Sequence, residues 1–148
     1  MTPRVLVTEL ILEAFRLDGR LLASGDALVA DLGLTSARWQ ALGMVAASVP
    51  LPVAHIARNM GLTRQAVQRL VNEMARDGLV RLAPNPHHRR ARLVILTPRG
   101  RKAYDAAMQR QRPWAENLAA GLDPSAIAGA TATLRALRRR LEEEAPSA

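Results

Sequence analysis

Cysteine is absent from the 148 residues, which excludes disulfides, thiolate metal ligands and thiol redox chemistry together. Lysine is almost as scarce: among 21 cations only Lys102 is lysine and the rest are arginine. The aromatic side chains are Phe15, Trp39, Tyr104 and Trp114. So few provide no clustered stacking platform of the kind that reads single-stranded nucleic acid. They also leave a core of Leu, Val and Ala, which suits helix-on-helix packing. No apolar run approaches the length of a membrane span. Glu9 and Glu13 interrupt the stretch that a secretion signal would need to be apolar, so the expected location is cytoplasmic. No Gly-rich phosphate loop occurs, and no His, Asp and Ser grouping has motif context. An enzyme built on this chain would need a further catalytic domain, and the expectation is that it is not one. No cofactor is expected.

What is present is a concentrated charge. Residues 53–102 carry eleven cations against Glu73 and Asp77, a net of +9, whereas residues 1–52 sum to −1 and residues 103–148 to zero. Charge confined to one third of a chain marks a surface for a polyanion. Apolar residues make up 49%, enough for a folded core of one domain, or one domain plus a dimerisation element.

The patterning places this charge on definite elements. Leu10, Ala14, Leu17 and Leu21 recur at helical spacing over residues 4–23. That helix ends at Gly25 or continues to Leu32 and stops at Gly33. Thr35 is the N-cap of a second helix running through Trp39 and Leu42 to about Ala47. Pro50 and Pro52 punctuate a turn, and Pro52 is tolerated in the first turn of the next helix. Val53, Ile56, Ala57 and Met60 form the apolar face of a short helix, and Gly61 supplies a sharp turn. Thr63 caps another helix whose Ala66, Val67, Leu70, Val71 and Met74 face inward, and Asp77-Gly78 stops it. Two short helices joined by a glycine turn make a helix-turn-helix.

Strand-like runs at Leu79–Ala83 and Arg92–Leu96 come next, joined by a long basic loop over residues 84–91 that reads as a wing. Thr97-Pro98 starts a long helix to about Ala120, with Gly121 as its cap and a kink or break expected at Pro113. Asp123-Pro124 starts the last helix, with Ile127, Leu134, Leu137 and Leu141 along one side. Arg138, Arg139 and Arg140 precede Glu142, Glu143 and Glu144, an order opposite to the helix dipole's preference, so the glutamates are expected to fray the end. Residues 145–148 read as a frayed tail.

The order of these pieces resembles the MarR family of transcriptional regulators over roughly residues 5–142. The residues that carry the likeness are Leu34-Thr35 before the Trp39 helix, Ile56-Ala57 with Met60-Gly61-Leu62-Thr63, and Val67-x-Arg69-Leu70-Val71. Asp77-Gly78-Leu79-Val80, Arg89-Arg90 and Leu96-Thr97-Pro98-Arg99-Gly100 complete it. The fold so implied is mainly α with a small β-wing: one domain over residues 1–148, with a winged helix-turn-helix core at 53–102 and dimerisation helices at 1–33 and 98–144. The resemblance further implies a cytoplasmic homodimer that binds a pseudo-palindromic operator in double-stranded DNA. In the family many members are repressors relieved by a small aromatic or phenolic ligand. One departure stands out: the family's wing usually carries an Asp directly before its paired arginines, where it helps hold the wing arginine, and this chain has His88.

Candidate DNA-binding residues are Arg64, Gln65, Gln68 and Arg69 on the polar face of the second helix-turn-helix helix, since Arg and Gln match guanine and adenine edges in the major groove. Arg69 stands further from the helix start and suits phosphate. Arg89 and Arg90 sit in the wing loop, where a guanidinium can enter a narrow minor groove; by the family pattern Arg90 is the better candidate for insertion. Leu10, Leu17, Leu134, Leu137 and Leu141 are the dimerisation candidates. Trp39 and Trp114 are first packing residues, with Trp39 the candidate to line a ligand pocket. His55, His87 and His88 do not make a metal site, because adjacent loop histidines rarely share one ion and no cysteine assists them. Two other readings stay open: a winged helix used only for dimerisation or protein interaction, and a low-specificity architectural DNA binder.

Overall fold

The computed structural model describes residues 1–47 and 49–145; residues 146–148, most of the expected tail, lie outside them. The chain forms two compact units, Met1–Gln111 and Arg112–Ala148. The first begins with helix α1 (Pro3–Val29). Thr2 caps it through its side chain, and Pro3 occupies a first-turn position where a missing N–H costs nothing. The helix does not stop at Gly25. It passes into a 3-10 turn (Ala30–Leu32) closed by Gly33 in the left-handed conformation, φ 73°. Gly25 has a packing role instead. A Cβ there would meet Ser36 Oγ at 2.4 Å, the hydroxyl that donates to Leu22 O at 2.9 Å.

Helix α2 (Ser36–Ala47) is capped by Thr35, whose Oγ1 accepts from Arg38 N–H at 3.1 Å. Asp26 also accepts from Ser36 N–H at 2.6 Å, a carboxylate against the positive end of a helix. Strand β1 (Leu51–Pro52) is next, then α3 (Val53–Met60) and α4 (Arg64–Arg76). Gly61 between them has φ 66°, and its N–H satisfies carbonyls at the end of α3. Strands β2 (Val80–Ala83) and β3 (Leu93–Leu96) pair antiparallel with Val80 opposite Leu96 and Ala83 opposite Leu93. Strand β1 adds to the other side of β3, with Leu51 opposite Val94, so the order is β1-β3-β2. Proline fits at Pro52 because β1 is an edge strand, where a missing donor breaks no central ladder.

Val29, Leu42, Ile56, Val67, Val71, Met74 and Val94 are fully buried and form the centre of the core. It therefore joins the helix-turn-helix, the sheet and the helices before it in one apolar cluster. Helix α5 (Pro98–Ala119) starts at Thr97-Pro98, and Thr97 Oγ1 accepts from Gly100 N–H at 3.0 Å. The helical run continues through Pro113, and the two compact units divide between Gln111 and Arg112. Arg110 ties α5 to the end of α1: it donates to Leu28 O at 2.9 Å and to Asp31 Oδ2 at 2.8 Å, with a further bond to Asp31 Oδ1.

That hydrogen bond is the chief cause holding the Asp31 carboxyl below its ordinary 3.8. A carboxyl depressed in the folded chain adds stability above its unfolded value and loses it as pH falls through the lowered folded one. Replacing Arg110 with Met is expected to lower the melting temperature at neutral pH. The gap from the parent should close as pH falls below 3.8, a trend that calorimetry across pH 2.5–7 (roughly the window of carboxyl titration) checks.

In the second unit α6 (Pro124–Glu144) is capped by Asp123, which accepts from Ser125 N–H at 3.1 Å. The acidic run does not fray it: the helix extends to Glu144, and Arg138 Nε lies 3.5 Å from Glu142 Oε1. No residue of α6 is buried among those described. No helix of the described residues is long and apolar enough to cross a membrane.

Candidate nucleic-acid interface

Helix α4 is built to hold one face outward. Thr63 Oγ1 accepts from Ala66 N–H at 3.1 Å and fixes its start. Val67 and Val71 at 0% exposure and Met74 at 1% lock its inner face into the core. Helical spacing then forces Arg64, Gln65, Gln68 and Arg69 onto the opposite side, and all four are exposed. They line one shallow groove together with Asn72, Glu73 and Arg76. Gln68 Nε2 donates to Asn72 Oδ1 at 2.9 Å, a bond that uses the amide nitrogen of Gln68 and not its carbonyl oxygen. Asn72 is a residue that sequence reasoning missed. Its signal is in the chain: it lies four residues after Gln68 on the same face, and Asn is an adenine reader by the same bidentate geometry as Gln.

The wing meets the start of this helix. Arg64 and Gln68 share a concavity of about 350 Å³ with His88, Arg90 and Arg92. Arg90 therefore faces the same space as the reading helix, whereas Arg89 is exposed but does not line it. Asn85 shapes the loop. Its Nδ2 donates to Ala91 O at 2.9 Å and its Oδ1 accepts from His87 N–H at 3.0 Å. Backbone bonds from His88 to Asn85 O and from Ala91 to His88 O complete the turn. Among the described residues no carboxylate pairs with Arg89 or Arg90. Here an amide, three residues upstream of His88, organises the loop that bears the arginines.

The remaining candidates lie elsewhere. Trp39 is half-buried against the core and lines none of the three concavities described in this structure. Trp114 is half-buried in the second unit. His55 is exposed on α3, and among the described residues no three His, Asp or Glu side chains gather as a metal-binding group. Of the dimerisation candidates, Leu17, Leu134 and Leu141 are exposed, and Leu10 and Leu137 are half-buried.

A helix-turn-helix with a β-wing, its outer face and wing both basic, has the form of a transcriptional regulator. The MarR family model matches residues 32–91. The uncharacterized protein Rv2011c of Mycobacterium tuberculosis is 37% identical over 95% of this chain and 97% of its own length. The crystal structure of Sco5413, a MarR family transcriptional regulator from Streptomyces coelicolor, is 30% identical, covers 94% of this chain and 97% of its own, and superposes with a TM-score of 0.78. The chain belongs to the MarR family of transcriptional regulators. A more distant structure of the same fold is the M. tuberculosis regulator MosR in complex with DNA, at 23% identity, 90% of this chain, 96% of that one and a TM-score of 0.76.

Proposed function

We propose that this regulator binds double-stranded DNA sequence-specifically as a two-fold homodimer and acts as a repressor relieved by a small ligand. The observation that carries the DNA reading is the exposed face of α4. Arg64, Gln65, Gln68 and Arg69 stand outward on a helix whose other side is fully buried, and Arg90 of the wing faces the same concavity. Arg64 and Gln65, nearest the helix start, read base edges; Arg69 meets phosphate; Arg90 enters the adjoining minor groove. MosR, of the same fold, is in complex with DNA in its crystal structure, which supports DNA as the partner.

Dimerisation rests on unspent apolar surface. In the first unit, α1 leaves Leu6, Leu12, Phe15 and Leu17 between 47% and 74% exposed. In the second, Leu118, Leu122 and Leu141 are more than half exposed. Burying a side chain of this kind is worth about 1.5–3 kcal/mol, so both surfaces favour a partner copy. Light scattering at micromolar concentration should return twice the chain mass, and a monomer would overturn the assignment. Selection of bound sequences from a random DNA pool tests the rest. A pseudo-palindrome with half-sites roughly 10 bp apart is expected from two-fold docking, with affinity falling steeply as salt rises. A single asymmetric half-site would contradict the dimer on DNA. Sequence-blind binding would favour the architectural reading, and no binding would favour a pure interaction module.

A further inference from the structure

Arg92 and His88 have no part in the contacts assigned above, yet both line the concavity that Arg64 and Gln68 of α4 share with Arg90. Arg92 directly precedes β3, and its neighbour Leu93 is held between Pro52 of β1 and Ala83 of β2. It therefore stands at the rigid end of the sheet, whereas Arg90 rides on the loop. His88 is tied through its backbone: its N–H donates to Asn85 O, and its carbonyl accepts from Ala91 N–H, both at 3.2 Å. Among the described residues, the charged groups facing His88 across the concavity are the guanidinium groups of Arg64, Arg90 and Arg92. The contributions of α3, β1 and β2 are uncharged, and no carboxylate lines the space. None of the three arginines pairs with a carboxylate elsewhere among the described residues.

Three like charges around one concavity repel one another in the free chain, and a polyanion laid across them relieves that repulsion. The proposed docking fixes which part of the polyanion arrives there. Arg64 and Gln65 reach into the major groove from the start of α4, and Arg90 enters the adjoining minor groove. Two adjoining grooves of a duplex are divided by one sugar–phosphate backbone. That backbone has to cross the surface between Arg64 and Arg90, and the concavity is that surface.

We infer that the concavity seats this dividing backbone, with Arg92 and His88 as its phosphate contacts, and that a proton on His88 tightens operator binding. The seat rests on the proposed DNA docking and adds to it contacts that position the duplex without reading its sequence. An arginine fork matches a phosphate bidentately. A protonated imidazole gives both ring nitrogens as donors and adds a positive charge, so phosphate in the seat and a proton on His88 favour each other. Histidine is the side chain that changes charge between about pH 5 and 8. Operator affinity therefore rises as pH falls through that range.

Fluorescence anisotropy of the full chain tests this, with the operator selected from the random pool and with a mixed-sequence duplex, over a range of salt and pH. Arg92→Gln should weaken binding roughly tenfold, by the same factor on both duplexes. It should also lower the slope of log affinity against log salt by about 1. Arg92→Lys should restore that slope, because lysine supplies the charge without the fork. The parent should bind about three- to tenfold tighter near pH 6 than near pH 8. His88→Gln should remove most of that gain, and His55→Gln, outside the concavity, should keep it. All three side chains are exposed, so the variants should melt with the parent. Parental affinity and salt slope in Arg92→Gln overturn the seat. A loss confined to particular half-site positions does so too, since it would make Arg92 a base reader. A parent without pH dependence, or His88→Gln with the parental dependence, overturns the part given to His88. If the parent selects no sequence but both variants show these losses on the mixed duplex, the regulator reading falls and the seat stands. A parent that binds no DNA sinks both.

Discussion

Gly100→Ala is expected to destabilise the first unit by about 3 kcal/mol or more, in the range of severe overpacking. An added Cβ would lie 2.0 Å from Leu79 O and 2.8 Å from Leu96 Cδ1. The leucine tip can swing away, but the carbonyl is main chain and is held. Thr97 Oγ1 lies 3.0 Å from that oxygen, its hydroxyl donates to Gly78 O at 2.6 Å, and Thr97 N–H donates to Leu79 O at 3.2 Å. The first turn of α5 is therefore clamped onto the junction of α4 and β2, and glycine is what lets the two backbones approach. Gly43→Ala is the control. Its Cβ would meet only the Tyr104 ring at 3.4 Å, and alanine is the better helix former by up to about 1 kcal/mol. Chemical denaturation of both variants should show a large loss for the first and stability within about 1 kcal/mol of the parent for the second. Equal stability of Gly100→Ala and the parent would show that the clamp yields.

On the DNA side, Arg64→Ala and Gln65→Ala should each cost about 1–3 kcal/mol of operator binding and relax preference at particular half-site positions. Arg90→Ala should instead weaken preference for A·T-rich flanks, because a guanidinium in a narrow groove reads shape. His88→Asp separates two accounts of the wing. If an acid at that position holds the neighbouring arginine, specific binding tightens although a negative charge has been added near DNA. Electrostatics alone predicts weakening. Affinity at two salt concentrations decides it, and weaker binding at both means that Asn85, through Ala91 O and His87 N–H, already supplies the order the acid would bring.

Local signals in the chain are enough for the helix-turn-helix. Val53, Ile56, Ala57 and Met60 repeat at helical spacing, Gly61 takes the left-handed turn without steric cost, and Thr63 caps the second helix of the pair. The outward face of α4 comes from the same period, because Val67, Val71 and Met74 have to face in. The preference for Arg90 over Arg89 has no such source and comes from family likeness. Strand β1 escapes because it is two residues long and one of them is proline, so its ladder to β3 is set by tertiary packing. Gly25 reads as a possible stop because its other use depends on Ser36, eleven residues on. The Arg38–Asp77 pair joins residues far apart in the chain. Summing charge along the sequence cannot reveal that Arg76, at the end of α4, stands beside Arg38 of α2 and Arg99 and Lys102 of α5.

Lys102, the lone lysine, is exposed on α5 beside Arg38 and Arg99, and it does not line the groove formed by Arg64, Gln65, Gln68 and Arg69. Every cation on the outer face of α4 and in the wing is arginine, which amine-directed chemistry does not touch. An amine-reactive dye therefore attaches at Lys102 and at the chain's own α-amino group, and the reading surface stays bare. The chain thus carries its own addressable position for an optical reporter, on α5 and off the outward face of α4.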